Sequence, residues 1–254
     1  MTGDDRKQGR NWGVLLSGAV LLLAGGAAGG WIAQRGGIGA ADAMPRDRIA
    51  IERVVHDYIL AHPEILPEAM ERLRANDSRA QLAGIRGAVE KPFPGAVLGN
   101  PQGKVTLVEF TDFACGYCRQ SVPDVEALLR EHPELRIVIR ELPILSPESA
   151  DAARWALAAA EQGKYAAFHK AMFAAGRPSA ATIASAAQTA GLDMARAAIT
   201  AAAPATEAEL KRNIEFARQL GFQGTPSWIA GDQMLSGAVG KEGLAKAIAG
   251  AAGA

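Results

Sequence analysis

Apolar positions recur with two different periods along the chain. From Asp47 to about Ala75 the spacing is helical: Ile51, Val54, Val55, Tyr58 and Ile59 fall near i, i+3, i+4, i+7, and Ile65, Leu66, Met70 and Leu73 repeat the pattern after Pro63. Proline suits a first helical turn and breaks an interior, so two short amphipathic helices are expected, the second starting at Pro63. So short a pair buries little by itself and is expected to pack on the main domain or on a copy of itself. Asn76 to Lys91 is polar and reads as a helix tail or linker.

Beyond Phe93 the pattern changes. Phe93 to Leu98 leads through a Gly-Asn-Pro-Gln-Gly turn into Val105 to Phe110, a β-branched and apolar run bounded by turn signals, as expected of a buried strand. Gly116 to Glu131 returns to helical spacing at Val122, Val125, Leu128 and Leu129, and Arg136 to Arg140 reads as the next strand. Strand, helix and parallel strand make an α/β crossover unit. An alanine-rich block from about 147 to 220 reads as several helices, punctuated by Gly163, Gly176-Arg177-Pro178, Gly191 and Pro204. Ser227 to Ala230, a Gly231-Asp232 turn and Gln233 to Leu235 form a hairpin pattern, and Lys241 to about Ala249 a last helix. The expected class is therefore α/β, a sheet framework interrupted by an inserted helical subdomain.

At the amino terminus, Trp12 to Ala33 carries no charged side chain and follows Arg6, Lys7 and Arg10. That length matches the roughly 20 helical residues that cross a bilayer. A retained membrane helix and a cleaved export signal both fit; the small-residue site Ala41-Asp42-Ala43 lies far past the apolar stretch, which favours the anchor. Either one exports the remainder, although Arg35, Arg46 and Arg48 leave the flanking charge asymmetry slight. The organisation read from the chain is 1–34 anchor or signal, 35–92 helical region and linker, and 93–254 the main domain.

Charge names no partner: Lys+Arg 27 balances Asp+Glu 27, which offers no general attraction for nucleic acid. Only two cysteines occur, Cys115 and Cys118, which excludes a framework of several disulfides and confines sulfur chemistry to one pair. They stand just after a buried strand, where a helix begins. Unpaired N–H groups and the positive end of the helix dipole stabilise a thiolate on the first cysteine, and the thiolate is the attacking species. The second sulfur, one turn on, can attack the resulting mixed disulfide. Cys115 is thus expected to be the nucleophile and Cys118 the resolving thiol. A closed zinc site wants four ligands, and His56, His62, His132 and His169 lack ligand spacing, so neither a metal nor another cofactor is expected.

Phe110-Thr-Asp-Phe-Ala-Cys115-Gly-Tyr-Cys118, the helical insertion and Gly224-Thr225-Pro226 together resemble the DsbA family of bacterial thioredoxin-fold proteins, from about Phe93 to Ala249. The resemblance implies a thioredoxin-like fold, a cis Pro226 beside the dithiol, and Thr225 backbone groups able to pair with an extended substrate. With Gly116 and Tyr117 these residues would face the substrate. It also sets an acidic residue at the position of Glu109 beneath the active site, where a carboxylate could accept or relay the Cys118 proton. Strand alternation alone leaves open whether Glu109 faces in or out. The phrase from Asp57 to Leu66 resembles the N-terminal region of the ScsC-like branch, some of whose members oligomerise through this end, and Cys-Gly-Tyr-Cys with a Thr-Pro loop resembles isomerases of the DsbC type. Gly116-Tyr117 supplies no cation between the cysteines. The expected function is an extracytoplasmic, membrane-anchored thiol-disulfide oxidoreductase acting on exported proteins, isomerisation or reduction favoured over oxidation, with a membrane redox partner that resets it. A Cu(I)-binding protein using the same two soft sulfurs is the alternative.

Overall fold

The computed structural model describes residues 45–252. The apolar stretch from Trp12 to Ala33 lies outside them, and among the described residues no helix is long and apolar enough to cross a membrane. The chain divides into two compact units between Ile65 and Leu66.

The first unit contains helix α1 (Pro45–Ala61). Its apolar stripe Ile51, Val54, Val55 and Tyr58 is exposed. Tyr58 stacks on His62 at a centroid distance of 4.6 Å, and the turn that follows is closed by the Ile65 N–H on the His62 carbonyl at 3.2 Å.

All of α2 (Ile65–Leu82) but its first residue lies in the second unit, where the single turn α3 (Arg86–Val89) follows. The stretch from Asn76 onward, polar by composition, thus continues as helix to Leu82. Its anchors account for the difference: Arg79 Nε donates to Asp232 at 2.8 Å, Arg86 reaches the same carboxylate at 2.5 Å, and Leu82 and Val89 are fully buried. Few apolar side chains suffice when charge pairs fix the rest.

Five strands follow: β1 (Val97–Gly99), β2 (Val105–Thr111), β3 (Leu135–Glu141), β4 (Ser227–Ala230) and β5 (Gln233–Ser236). The sheet order is β1-β3-β2-β4-β5. β2 and β3 pair in parallel, Leu107 opposite Ile137, and every other neighbour is antiparallel. The connection between β2 and β3 is α4 (Gly116–Glu131), the expected crossover. Between β3 and β4 come α5 (Pro147–Glu161), α6 (Tyr165–Ala175), α7 (Ala180–Thr189), α8 (Met194–Ala201) and α9 (Pro204–Gln219), and α10 (Gly240–Ala252) ends the domain. Local chemistry starts these helices: Ser146 with Ser149 and Ser179 with Thr182 form capping boxes, Asp193 caps α8, and Pro147 and Pro204 occupy first turns. Gly95, at φ 83, runs so close under α5 that a Cβ would lie 2.2 Å from the Ala160 carbonyl oxygen.

Alternation along β2 separates two apolar layers. Leu107 joins Phe113, Ile137, Ile139, Val125, Leu128, Trp228 and the insertion helices, while Val108 and Phe110 join Leu82, Val89, Val138, Phe216 and Ile229. Glu109, two residues from Leu107 and two from Thr111, shares their face and therefore points inward. The sheet thus carries a carboxylate into its core directly below the start of α4.

Candidate active site

Helix α4 begins because Cys115 takes an extended backbone, φ −78 and ψ 120, and caps the helix with its own sulfur, which accepts the Cys118 N–H at 3.4 Å. A sulfur at a helix N-cap meets the free amide donors and the positive dipole end together. Across the site the Thr225–Pro226 peptide is cis, and the Cys115 sulfur, when protonated, donates to the Thr225 carbonyl at 3.1 Å. Residues 110 positions apart are thereby joined at one sulfur.

The two thiols are driven apart in acidity. The Cys118 thiol, donating to the sulfur of Cys115, leads the effects that bring Cys115 down to about 5; backbone N–H groups of Cys118 and Tyr117 add to it, and burial opposes it. Burial, then the neighbouring Cys115 sulfur, then Glu109 push Cys118 far above the ordinary thiol range. The outer sulfur is poised as a thiolate and the inner one keeps its proton.

Glu109 is buried at 3% exposure, its Oε2 without a hydrogen-bond partner. Burial raises its pKa to about 8, and the Cys115 charge contributes to the rise. Gly116 and Tyr117 are exposed, Tyr117 at 66%. A Cβ on Gly116 would meet nothing within 4 Å, so this edge of the site is open. Pro226 is buried and Thr225 half-buried. The structure therefore gathers Cys115, Cys118, Thr225, Pro226 and Glu109 at one end of the sheet, with Gly116 and Tyr117 on its outer face.

Three further groups belong to this neighbourhood. Asp112, buried, accepts from the Ala114 N–H at 2.8 Å and, through its other oxygen, from the Ile144 and Leu145 N–H groups at 2.9 and 3.0 Å and the Ser149 hydroxyl at 3.2 Å. Glu141, also buried, accepts from the Tyr165 hydroxyl at 2.6 Å, and burial holds its pKa well above the carboxylate range. Arg119 donates to the carbonyls of Phe173 and Gly176 at 3.0 and 2.7 Å, tying α4 to α6. The only sequence signal for Glu141 was an acid ending an apolar strand, and for Asp112 a turn-forming acid between β2 and the dithiol.

The histidines are dispersed. His56 and His62 are exposed, His132 is half-buried beside Glu134, and His169 is buried against Phe113, Tyr165 and Phe173, where burial lowers it to about 4. Among the described residues no three His, Cys, Asp or Glu side chains group as metal ligands.

Known proteins are similar to parts of this chain. A DSBA-like thioredoxin domain matches residues 106–249, and a copper resistance protein ScsC N-terminal domain matches residues 47–80. A thioredoxin-like oxidoreductase from Silicibacter pomeroyi is 41% identical, with a TM-score of 0.60 over 62% of this chain and 92% of its own. A linker-deleted Proteus mirabilis ScsC is 26% identical, with a TM-score of 0.63 over 85% of this chain and 99% of its own. A Na(+)/H(+) antiporter NhaA of Salinispora tropica is 36% identical over 107 residues, 39% of this chain, and the match spans only 16% of the antiporter. The chain thus belongs to the DSBA-like thioredoxin domain family, and ahead of that domain its residues 47–80 match the ScsC N-terminal domain.

Proposed function

We propose that Cys115 and Cys118 exchange disulfides in exported proteins, isomerising or reducing them in preference to oxidising them. The observation that carries the reading is the opposed acidity of the two thiols at one helix start. The Cys115 thiolate attacks one sulfur of a client disulfide, the client S–S bond breaks, and the other client sulfur leaves as a thiolate. With the Cys115 charge consumed in the mixed disulfide, its push on Cys118 and Glu109 is lifted and both acidities rise. Glu109, after giving its own proton to solvent, takes the Cys118 proton, Cys118 attacks the Cys115 sulfur, and the client thiolate is released. Two electrons pass to the client and the dithiol becomes a disulfide; in isomerisation a client thiolate displaces Cys115 first and nothing is consumed.

Thioredoxin's nucleophile has a pKa of about 7 and DsbA's about 3.5. A Cys115 near 5 lies between them, which supports a reduction potential between those of the two proteins, about −270 and −120 mV. Thr225, with its carbonyl on the Cys115 sulfur, and the exposed Gly116 and Tyr117 would receive the client chain. A periplasmic thioredoxin-like protein of Salmonella enterica, 28% identical, supports an extracytoplasmic site, and the uncharged stretch from Trp12 to Ala33 would tether the domain beside a membrane redox partner. The exposed apolar stripe of α1 would join copies of the chain. Equilibration with glutathione, together with turnover of scrambled ribonuclease, tests the reading. An intermediate potential with recovered ribonuclease activity is expected; a potential at the DsbA value with no activity on scrambled ribonuclease refutes the preference.

The match to a copper resistance protein's N-terminal domain favours a second reading, Cu(I) held by the two sulfurs. Stoichiometric Cu(I) capture by the reduced protein without insulin reduction would select it.

A further inference from the structure

Thr111 is the next inward-facing residue after Glu109 on β2, about 6.7 Å nearer the strand end from which the chain turns into Cys115. It is fully buried, and its hydroxyl oxygen has no hydrogen-bond partner at ordinary distance. Burying a hydroxyl without a partner is unfavourable, so its presence calls for a reason. Its neighbours supply one. Glu109 Oε2 is likewise buried and unpartnered, and Thr111 stands near enough to both Glu109 and Cys118 for its hydroxyl to lower the pKa of each.

Two other polar side chains border the same space. Thr225 bears on Cys118 too, but from the side of Cys115. Glu141 stands across the strand pair from Thr111; burial keeps its proton on, and the Tyr165 hydroxyl occupies one of its oxygens, so it offers no competing base. Thr111 is therefore the hydroxyl between the inner sulfur and the carboxyl. In the reduced protein the Cys118 thiol donates to the Cys115 sulfur. Once that sulfur is taken up in a mixed disulfide it loses its charge, and the Cys118 proton needs another acceptor.

We propose that the Thr111 hydroxyl carries the Cys118 proton to Glu109, which makes Thr111 a catalytic residue of the resolving step. The inference rests on the exchange reading of the same two sulfurs. A hydroxyl accepts one proton while donating another. Cys118 gives its proton to the Thr111 oxygen as that oxygen gives its own to the Glu109 carboxylate. The sulfur becomes a thiolate, the carboxylate an acid, and the hydroxyl is restored. The Cys118 thiolate then forms the bond to the Cys115 sulfur, and the client sulfur leaves with the electron pair of the bond that breaks.

The test mixes the reduced full-length protein with oxidised glutathione and follows, by acid quench and mass spectrometry, first the mixed disulfide at Cys115 and then its conversion to the Cys115–Cys118 disulfide. Thr111→Val, equal in shape and without the hydroxyl, is expected to form the mixed disulfide at the wild-type rate and to resolve it about 10²-fold more slowly. Thr111→Ala repeats the loss in a smaller side chain, and Thr111→Ser restores resolution. Because the hydroxyl and the carboxyl act in one transfer, Thr111→Val combined with Glu109→Gln is expected to resolve no more slowly than either alone. Wild-type resolution in both hydroxyl-free variants, no recovery in Thr111→Ser, an equal slowing of the first step, or a loss of about 10⁴-fold in the combined variant overturns the relay and leaves the dithiol chemistry standing. A wild type that forms no mixed disulfide with oxidised glutathione defeats the exchange reading itself.

Discussion

Ionisation of Cys115 should appear as pH-dependent stability of the reduced protein alone. The thiol falls from 9.0 to about 5 on folding. A lowered pKa contributes stability in full above the unfolded value of 9.0 and loses it as pH falls through the folded value. At pH 7 two of the four units are in play, which at about 1.4 kcal/mol per unit sets a ceiling of about 2.7 kcal/mol. Because the helix start is open at Gly116 and Tyr117, solvent screening brings the expected contribution to about 1–2 kcal/mol. Glu109 acts in the opposite sense: with its pKa raised from 4.5 to about 8, it costs stability as pH rises between those values. A Cys115→Ser reference retains Glu109, so the difference reports the Cys115 charge together with its coupling to Glu109. Urea unfolding of reduced wild type and Cys115→Ser at pH 4 and pH 7, with the ultraviolet thiolate absorbance followed in parallel, measures it. The wild type should gain about 1–2 kcal/mol on the reference over this interval, and the oxidised protein, with no ionisable sulfur, should not. A thiolate midpoint near that of free cysteine, about 8.5, with parallel stability curves would refute the helix-start account.

Cys118→Ser should accumulate mixed disulfides with clients, visible as adducts on non-reducing gels, because the protein's own resolving thiol is gone. Glu109→Gln should slow resolution by about 10²-fold, the lower end of general acid–base contributions, while the first alkylation of Cys115 keeps its rate; stopped-flow separates the two steps. The same substitution should stabilise the protein at pH 8 relative to pH 5, since a buried carboxylate no longer has to ionise. Glu209→Gln should cost about 3–5 kcal/mol in urea unfolding, for it leaves Arg140, which is 1% exposed and paired to Glu209 at 2.6 Å, as an uncompensated buried cation.

Sequence periodicity carries far in this chain because the sheet's core strands are short and apolar on both faces. β2, α4 and β3 stand where the pattern placed them, and Gly224-Thr225-Pro226, an ordinary turn by itself, gained meaning only from the distant dithiol. What escaped were polar groups whose partners are remote. Arg140 reads as a strand-end cation, yet it donates to the carbonyls of Ala88, Val89 and Lys91 and to Glu209, binding the segment before β1 to β3 and α9. The same remoteness hid the anchors of α2 and α3 on Asp232, 153 and 146 positions away from Arg79 and Arg86.

The groups missed by pattern are also those that give the dithiol its setting. A helix start lowers a thiol in any protein, but the separation between Cys115 and Cys118 requires that the inner sulfur be dry and face the Glu109 carboxyl. Arg140 lies on the neighbouring strand, but its side chain belongs to the opposite layer, with Val138 and Phe216, and its charge is spent on Glu209. On the inner face, burial raises the proton affinity of both Glu109 and Glu141, the nearby Glu109 and Asp112 charges add to the rise of Glu141, and Glu141 accepts from the Tyr165 hydroxyl. Moving Arg140 by one position along β3 would place a guanidinium against Glu109, ionise it permanently and remove its capacity to accept the Cys118 proton. The register that alternation fixes for packing therefore also decides which carboxyl stays free to do chemistry.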